Sequence, residues 1–518
     1  MPPWTACRPP NRARSRRMQS WPRRIAALVF GYIATAVPAL GATPTDWLPP
    51  GVEAALAQAG VARSGLVAVV QDVDAAAPLL AWQPARPVNP ASLMKLLTTG
   101  AALDRLGPAW TWQTPVWLAG RLADPGPRGV LAGDVVIRGS GDPSLVIERV
   151  WLLLRRIRQS GVQQVQGDFV LDSSAFSPGE QVSGDFDGEL LRPYNVGANA
   201  LLFNFKSVQL TLTPDAAAGV ARVSVEPLLA GMRTTASVPL AKGRCDDWRG
   251  GLGLDFSDPA ALRLGGTYPL ACGQRQWPIA YPDAARYNHR LLAALWAEAG
   301  GTLGGTVRDG SAPAGVAPTF EWQSPPLVDV VRDINKYSNN VMAQQLFLTL
   351  GLTFAGEGSP RAARGVVQQW AQERLGAAGL ALTVDNGSGL SRAGSVDAQL
   401  LAALLVDAWH GPTMAPFVAS LPVSAVDGTL RRSTVPAGRA YLKTGSLRDV
   451  VGIAGYVLTD DANWRIVVGV VNHERAAAAR PALDALVQWA LHAHPRAAGA
   501  ASAGVPLTLR TPLGGAAR

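Results

Sequence analysis

Residues 91–106 read ASLMKLLTTGAALDRL, and this stretch decides the fold that we predict for the chain. Its apolar side chains surround most of a helical cylinder, so we expect a helix buried in the centre of a domain. The helix should end at Leu106, because Gly107-Pro108 follows and proline lacks the amide hydrogen that a helix needs. Residues three apart share a helix face, so the amine of Lys95 is expected beside the hydroxyl of Ser92.

Lysine is rare in this chain, with five lysines against 42 arginines. In so biased a chain, lysine is expected where a compact amine that can lose its proton is required. A desolvated lysine has a lowered pKa and can deprotonate a serine, and a helix N-terminus favours the developing negative charge. Ser92 and Lys95 are therefore candidates for a nucleophile and its base, although a lone SxxK pattern also arises by chance.

Two more short clusters combine lysine with hydroxyl or amide side chains. Ser338-Asn339-Asn340 lies between helices predicted at 327–335 and 341–350, where a plain turn with a helix N-cap would have the same composition. Lys443-Thr444-Gly445-Ser446 lies on a predicted strand, where lysine can also protect an exposed edge. Gly445 would let another backbone approach that edge closely. The order SxxK, SxN, KTG is typical of penicillin-interacting serine acyl-enzymes.

The predicted elements give an α+β pattern in which helices and a terminal meander are separated by a β-rich insertion. A hairpin is predicted at 66–72 and 79–83, and a meander at 439–444, 450–458 and 465–471, followed by a closing helix at 481–492. Between them, one strand is predicted at 165–171 and a helix from near His289 to Glu298. We predict that 42–108 and 286–495 form one domain, which carries the three motifs. The inserted region, 109–285, is expected to hold two nested domains, the inner one at about 206–275.

The N-terminus has the features of a secretory signal peptide, which we place at 1–41. Seven arginines precede residue 25, and an apolar run follows from Ile25 to Leu40, ending in small residues. These arginines account for most of the net charge of +9, so neither a basic surface nor a nucleic-acid partner is expected. We predict a periplasmic protein with at most a peripheral membrane association, a retained membrane anchor being the alternative. Residues 496–518 are low in complexity and are expected to be disordered.

Two cysteines, Cys245 and Cys272, remain after the signal segment, and in an oxidising compartment we expect them to form a disulfide. The sequence contains no CxxC or HExxH pattern, so neither a metal site nor a cofactor is expected. It also lacks a GxSxG elbow, and its five histidines have no obvious Ser/Asp context, which argues against a Ser-His-Asp hydrolase.

The three motifs and the long gap between Ser92 and Ser338 resemble the low-molecular-mass class C penicillin-binding proteins, the D-alanyl-D-alanine carboxypeptidase/endopeptidases of the penicillin-binding protein 4 type. The resemblance extends over roughly 45–492. Family-like phrases also occur at 139–143, 194–197, 386–392 and 427–430. Two residues depart from the pattern, Asn386 where many relatives carry Asp and Gln344 where an acidic residue is frequent.

The resemblance implies a fold and a mechanism. The fold is a β-lactamase/DD-peptidase-like antiparallel sheet with helices, interrupted by a β-rich insertion. Ser92 would attack a D-Ala-D-Xaa carbonyl with Lys95 as base, and Ser338 beside Lys443 would pass a proton to the leaving amine. The resemblance also implies that Asn340 binds the substrate amide and that Lys443 and Thr444 bind a terminal carboxylate. The backbone amides of Ser92 and Ser446 would form the oxyanion hole. Asp142 would bind an ammonium group of the stem peptide.

Peptidoglycan stem peptides are the partners that the resemblance implies, with β-lactam antibiotics as covalent inhibitors. Two alternatives stay open at this point. One is a β-lactamase or esterase on the same core, against which the long insertion argues, and the other is a non-catalytic cell-wall scaffold. The sequence does not separate carboxypeptidase from endopeptidase activity.

Overall fold

The structure is a computed structural model and describes residues 44–125, 128–179 and 184–493. The predicted signal peptide and the predicted disordered tail lie outside the described residues. Within those described ranges, no helix has both the length and the apolar composition that a membrane crossing requires.

Helices and strands occur throughout the described ranges, from Pro50 to His492. The α-helices are α1 Pro50–Ala59, α2 Met94–Leu106, α3 Ile147–Gln159, α4 Ala284–Glu298, α5 Leu327–Tyr337, α6 Asn340–Ala355, α7 Pro360–Leu375, α8 Ala398–His410, α9 Met414–Ala419 and α10 Arg480–His492. The strands are β1 Leu66–Asp72, β2 Leu80–Trp82, β3 Gln113–Ala123, β4 Val130–Arg138, β5 Gln164–Val165, β6 Phe169–Asp172, β7 Ser207–Asp215, β8 Val220–Glu226, β9 Arg233–Thr234, β10 Ser237–Ala241, β11 Leu254–Asp258, β12 Ala261–Leu264, β13 Tyr268–Pro269, β14 Arg275–Ala280, β15 Thr302–Leu303, β16 Val307–Asp309, β17 Phe320–Gln323, β18 Ala440–Leu447, β19 Val450–Leu458 and β20 Trp464–Asn472.

An antiparallel sheet in the order β18-β19-β20-β1-β2 joins the two ends of the described chain. Successive side chains of a strand point to opposite faces, and here both faces are covered. On β1, Val67 and Val69 belong to the core cluster that includes the residues of α2, whereas Ala68 and Val70 belong to the cluster that includes those of α1 and α10. The predicted hairpin and terminal meander are confirmed.

Helix α2 lies inside the larger core, as its all-round apolar pattern predicted. Ten of its residues are buried, and it packs against α5, α6 and α7. The helix ends at Leu106, and Gly107 follows with a φ of 82° that favours glycine. Because α2 is held on all sides, the residues at its start are fixed relative to the central sheet.

The strands between residues 113 and 323 build separate sheets. A mixed seven-stranded sheet contains β3 to β6 together with β15 to β17, and β4 pairs with β6 in parallel. Because β15, β16 and β17 pair with strands of the inserted region, the β-rich region continues to Gln323, beyond the predicted boundary at 285. The division into domains stays a prediction.

Inside this region lie a five-stranded sheet, in the order β13-β10-β8-β7-β14, and a three-stranded sheet, in the order β11-β12-β9. The predicted disulfide between Cys245 and Cys272 is present here, with the two Cα atoms 4.8 Å apart. The bridge closes the loop-rich segment that carries β11 and β12.

Two local predictions were wrong. The run 165–171, predicted as one strand, is split between β5 and β6 because Gly167 donates its N–H to Gly133 O and Asp168 donates its N–H to the Asp134 carboxylate. Helix α4 begins at Ala284 rather than near His289, because the Asp283 side chain caps it by accepting from Arg286 N.

Candidate active site

Ser92 lies in a short 3-10 turn, Ala91–Leu93, that leads directly into α2. The preceding residue, Ala91, has a φ of 47°, which is strained for a residue with a Cβ. Asn89 holds this turn, since its Oδ1 accepts from Ala91 N at 2.8 Å. The serine side chain is half-buried at the edge of the central sheet.

Lys95 is completely buried, and its Nζ lies 3.0 Å from Ser92 Oγ, as the i, i+3 spacing predicted. The same nitrogen donates at 2.6 Å to Asn340 Oδ1 and at 2.6 Å to the Ser388 carbonyl. Burial lowers the pKa of Lys95 well below its usual value, and the nearby Lys443 ammonium lowers it further.

The contacts of Lys95 suit a neutral amine. The Asn340 and Ser388 oxygens can only accept, so they take two N–H donors, whereas the Ser92 hydroxyl can donate. A neutral Lys95 therefore satisfies both carbonyls and keeps its lone pair towards the serine proton. This is the hydrogen-bond pattern that a general base for Ser92 requires.

Asn340 is placed by a capped helix start. It is the first residue of α6, and Asn339 caps that helix by accepting from Met342 N at 3.1 Å. While its Oδ1 contacts Lys95, its Nδ2 donates to the Tyr194 carbonyl at 3.3 Å. The SxN cluster is thus both the helix cap that its composition suggested and a direct neighbour of the buried lysine.

A second serine–lysine pair lies beside the first. Lys443 Nζ donates to Ser338 Oγ at 2.8 Å and to the Thr444 carbonyl at 2.7 Å, and this side chain is also completely buried. Burial lowers the pKa of Lys443 to about 7. Ser338 follows the last residue of α5 with a φ of 56°, which points it away from a continued helix.

The KTG segment lies on β18, an edge strand of the central sheet. Thr444 Oγ1 donates to Thr429 Oγ1 at 2.9 Å, and Ser446 Oγ accepts from Arg480 at 3.2 Å. A Cβ added at Gly445 would lie 2.8 Å from the Pro90 carbonyl. The glycine therefore permits the close approach of backbones that the sequence suggested, between β18 and the turn that carries Ser92.

The sequence indicated no role for the loop 386–392 beyond its resemblance to a family phrase. In the structure, Ser388 supplies a carbonyl to Lys95, and Gly389 has a φ of 77° and lies so close to the Ala91 carbonyl that a Cβ there would be 1.8 Å from it. Asn386 Nδ2 donates to Leu390 O at 2.7 Å while its Oδ1 accepts from Ser388. An aspartate at position 386 could not make the first of these bonds. The paired glycines were the signal of a tight backbone approach.

Asn472, at the end of β20, was also missed. Its Oδ1 accepts from Asn89 N at 2.7 Å and its Nδ2 donates to Asn89 O at 3.1 Å. These bonds connect the central sheet to the turn before Ser92 across 383 residues of sequence. A single sequence gives no sign that two residues so far apart are in contact.

The structure does not join Asp142 to the residues around Lys95 by any hydrogen bond. Its side chain is completely buried, and its Oδ1 accepts from Ser144 N at 2.7 Å, while its Oδ2 has no partner among the described residues. Burial raises the pKa of Asp142 to about 6. Ammonium binding by Asp142 stays a prediction. Gln344, the second departure from the family pattern, has a buried Oε1 without a partner in the described chain.

The fold and the paired serine–lysine contacts define the class of the molecule, which is that of the serine peptidases with the β-lactamase/DD-peptidase fold. The sequence profile of the D-Ala-D-Ala carboxypeptidase 3 (S13) family matches residues 50–493, and the chain belongs to this family. The predicted relationship and fold class are therefore confirmed.

Relatives agree with this membership. The chain is 31% identical over 397 residues to a D-alanyl-D-alanine carboxypeptidase of Actinomadura sp., covering 71% of this chain and 70% of the relative. It is 23% identical over 387 residues to the D-alanyl-D-alanine carboxypeptidase DacB of Haemophilus influenzae, covering 71% of this chain and 77% of that relative. The crystal structure of penicillin binding protein 4 from Haemophilus influenzae has the same fold, with a TM-score of 0.65 and 20% identity over 82% of this chain and 95% of the other.

Proposed function

We propose that this chain is a serine DD-peptidase that cleaves D-Ala-D-Xaa bonds in the stem peptides of peptidoglycan through an acyl-enzyme on Ser92. The observation that carries the proposal is the 3.0 Å contact between Ser92 Oγ and the buried Lys95 Nζ. Membership of the S13 family supports the substrate class, since two relatives are D-alanyl-D-alanine carboxypeptidases.

Acylation begins with neutral Lys95 taking the proton of Ser92 as the serine oxygen attacks the carbonyl carbon. The Asn340 and Ser388 oxygens, each 2.6 Å from Nζ, then stabilise the ammonium that forms. The backbone amides of Ser92 and Ser446 stabilise the tetrahedral oxyanion. In the free enzyme, Asn340 Nδ2 donates a hydrogen bond to the Tyr194 carbonyl. When substrate binds, the same group would bind the substrate amide.

The leaving amine needs a proton when the C–N bond breaks. Ser338 passes it the proton that Lys95 took from Ser92, while Lys443, whose Nζ lies 2.8 Å from the Ser338 hydroxyl, keeps its own proton and its charge. A carboxylate on the leaving residue binds Lys443 and Thr444, and the negative charge raises the pKa of Lys443, which burial alone holds at about 7. Water then gives a proton to Lys95 as it attacks the ester carbon, and Lys95 returns that proton to Ser92 as the acid is released.

A β-lactam presents a strained amide in place of the D-Ala-D-Xaa bond. Its leaving amine stays tethered to the acyl group, where it obstructs the attacking water, so a stable adduct on Ser92 is expected. Penicillin binding protein 4 of Haemophilus influenzae has been crystallised with a β-lactam, which supports this inhibitor class.

We place this activity in the periplasm, with residues 1–41 removed as a signal peptide. The disulfide between Cys245 and Cys272 supports an oxidising compartment, and peptidoglycan lies outside the cytoplasm.

The test is release of D-alanine from a synthetic stem pentapeptide by the purified mature protein. Ser92→Ala should release none, whereas the control Ser237→Ala, at an exposed position of β10, should match the wild type. Release by Ser92→Ala at the wild-type rate would refute the proposal. Rapid and complete turnover of penicillin by the wild type, with no D-alanine released, would instead make the chain a β-lactamase.

A further inference from the structure

A cavity of about 630 Å³ opens on the inserted region at the start of β14, and we call it the β14 pocket. Its lining residues are Trp248, Arg249, Gln274, Arg275 and Gln276. From Arg275 at the pocket, β14 runs roughly 17 Å to Ala280. Ala280 packs in the small cluster that includes Val341, the neighbour of Asn340. The pocket is therefore separate from the reacting serines and lysines.

The disulfide joins the two chain segments that form the walls of the β14 pocket. Cys245 lies three residues before Trp248, and Cys272 lies three residues before Arg275. The two Cα atoms of the bridge are 4.8 Å apart. Arg275 also reaches the bridge, with its Nη2 3.8 Å from Cys245 Sγ. The bridge thus keeps the cationic and aromatic side chains of the two walls at one place.

Aromatic rings, and not an acid, position Arg249. Its Cζ lies 5.1 Å from the ring centre of Trp248 and 5.6 Å from that of Trp277. The two indoles contact each other edge to face at 5.9 Å. These cation–π contacts hold the guanidinium by its face, which leaves the N–H donors around its rim free to bind a ligand.

The β14 pocket is lined by two arginines and by no acidic residue. In the part of the chain that the structure describes, neither Arg249 nor Arg275 forms an ion pair, whereas Arg263 of the same region pairs with Asp255 at 3.3 Å. Two guanidinium groups without a counter-ion in one cavity favour an oxyanion that accepts hydrogen bonds from both. Carboxylate and phosphate have the geometry that the planar fork of arginine matches.

The remaining side chains of the pocket suit hydroxyl groups and a non-polar ring face. Gln274 and Gln276 are exposed, and each carboxamide carries both a donor and an acceptor, as does a hydroxyl. Trp248 and Trp277 are half-buried, which leaves part of each indole for the C–H groups of a ligand. A sugar presents both kinds of group, and about two sugar units fit a cavity of this size.

The adjacent edge of β14 does not favour an added peptide strand. Ala280 already donates its N–H away from β7, to Leu191 O at 2.9 Å. Pro278, which lies two residues earlier and so faces the same side, has no N–H. The edge therefore offers few donors to the backbone of a peptide, and side chains have to supply the binding.

We propose that the β14 pocket binds an anionic saccharide, that is, a sugar unit that carries a phosphate or a carboxylate group. Arg249 and Arg275 bind the oxyanion, while Gln274 and Gln276 bind hydroxyls of the sugar. The site is independent of the acyl-enzyme chemistry and gives the inserted region a binding function of its own.

The test measures the binding of small probes to the purified mature protein by titration calorimetry. The probes are a disaccharide phosphomonoester, a disaccharide that carries a carboxylate, the neutral disaccharide of N-acetylglucosamine and the acidic peptide tetraglutamate. We expect at least one anionic disaccharide to bind about tenfold or more tightly than the neutral one. The better of the two anionic probes identifies the source of the charge.

Arg249→Gln and Arg275→Gln should each weaken binding of that probe by about tenfold or more, because a charge-assisted hydrogen bond is lost. Arg249→Lys keeps the charge without the planar fork and should have an intermediate affinity. Arg263→Gln is the control, since it removes the same charge from an exposed position outside the pocket, and its affinity should stay within about twofold of the wild type.

Absence of binding of both anionic disaccharides to the wild type would overturn the proposal. An affinity that neither pocket variant lowers, or that Arg263→Gln lowers equally, would also overturn it, because binding would then not depend on these two arginines. Binding of tetraglutamate as tightly as the anionic disaccharides would assign the pocket to acidic peptides instead. Each variant should unfold at the wild-type temperature and be acylated by penicillin at the wild-type rate, which confirms that it is folded.

Discussion

Asn472 exchanges two hydrogen bonds with the backbone of Asn89, its Oδ1 accepting at 2.7 Å and its Nδ2 donating at 3.1 Å. Asn89 in turn accepts from the strained Ala91 with its Oδ1 and donates to Ser391 O with its Nδ2. Asn472 thus anchors the Ser92 turn to the central sheet through Asn89, although it contacts neither Ser92 nor Lys95 by a hydrogen bond.

We predict that Asn472→Leu slows acylation by penicillin about tenfold or more, because a misplaced nucleophile loses orientation rather than binding. The non-covalent affinity for penicillin, measured in the same stopped-flow experiment, should stay close to that of the wild type. Asn472→Asp keeps the acceptor for Asn89 N and should give an intermediate rate. Acylation of Asn472→Leu at the wild-type rate would show that the turn holds its conformation without this side chain.

Lys95→Arg should lower acylation by at least about a hundredfold, although the positive charge is kept. Arginine does not lose its proton at any working pH, so it cannot accept the proton of Ser92. Lys242→Arg is the control, since Lys242 is exposed and should tolerate the change. Activity of Lys95→Arg within about tenfold of the control would mean that Lys95 acts as a structural cation and not as a base.

Acylation should decline as the pH rises through about 7, because the pKa of the buried Lys443 is lowered to about 7. Below this pH, Lys443 is charged and binds the carboxylate of penicillin, whereas above it the free enzyme loses that charge. The second-order rate constant measured from about pH 6 to about pH 9 should therefore show an alkaline limb. In Lys443→Arg the rate should be lower throughout but the limb should disappear. Persistence of the limb in that variant would assign it to another group.

The bridge between Cys245 and Cys272 should stabilise the inserted region without affecting the chemistry. Closing this loop contributes roughly 3–4 kcal/mol on the chain-entropy account. We expect the double variant Cys245→Ser/Cys272→Ser to be cleaved faster by proteases within the segment 245–272, and to be acylated by penicillin at the wild-type rate. Alkylation of the denatured, unreduced wild type should label neither cysteine, and labelling of both would contradict the bridge.

The central elements could be predicted from the sequence because their patterns are local. The apolar cylinder of α2, the spacing of Ser92 and Lys95, and the nearly continuous apolar runs of β19 and β20 each depend on neighbours a few residues apart. The predicted burial of Lys95 follows from the same local pattern. The contact between Lys443 and Ser338, which are 105 residues apart, was implied instead by the family resemblance.

The remaining features depend on contacts between distant parts of the chain. The carbonyl of Ser388 reaches Lys95 across 293 residues, and no side-chain pattern signals a backbone acceptor. The break between β5 and β6 depends on Asp134, which accepts from Asp168 N 34 residues away. The return of β15 to β17 to the sheet of β3 and β4 likewise follows from pairing and not from composition.

The most direct test of the account is mass spectrometry of the intact protein after incubation with penicillin, followed by peptide mapping. We predict one penicillin mass added per chain, on the peptide that contains Ser92-Leu93-Met94-Lys95, and no adduct in Ser92→Ala. Absence of an adduct from the folded wild type, or an adduct that maps to Ser338 or Ser388 and persists in Ser92→Ala, would contradict it.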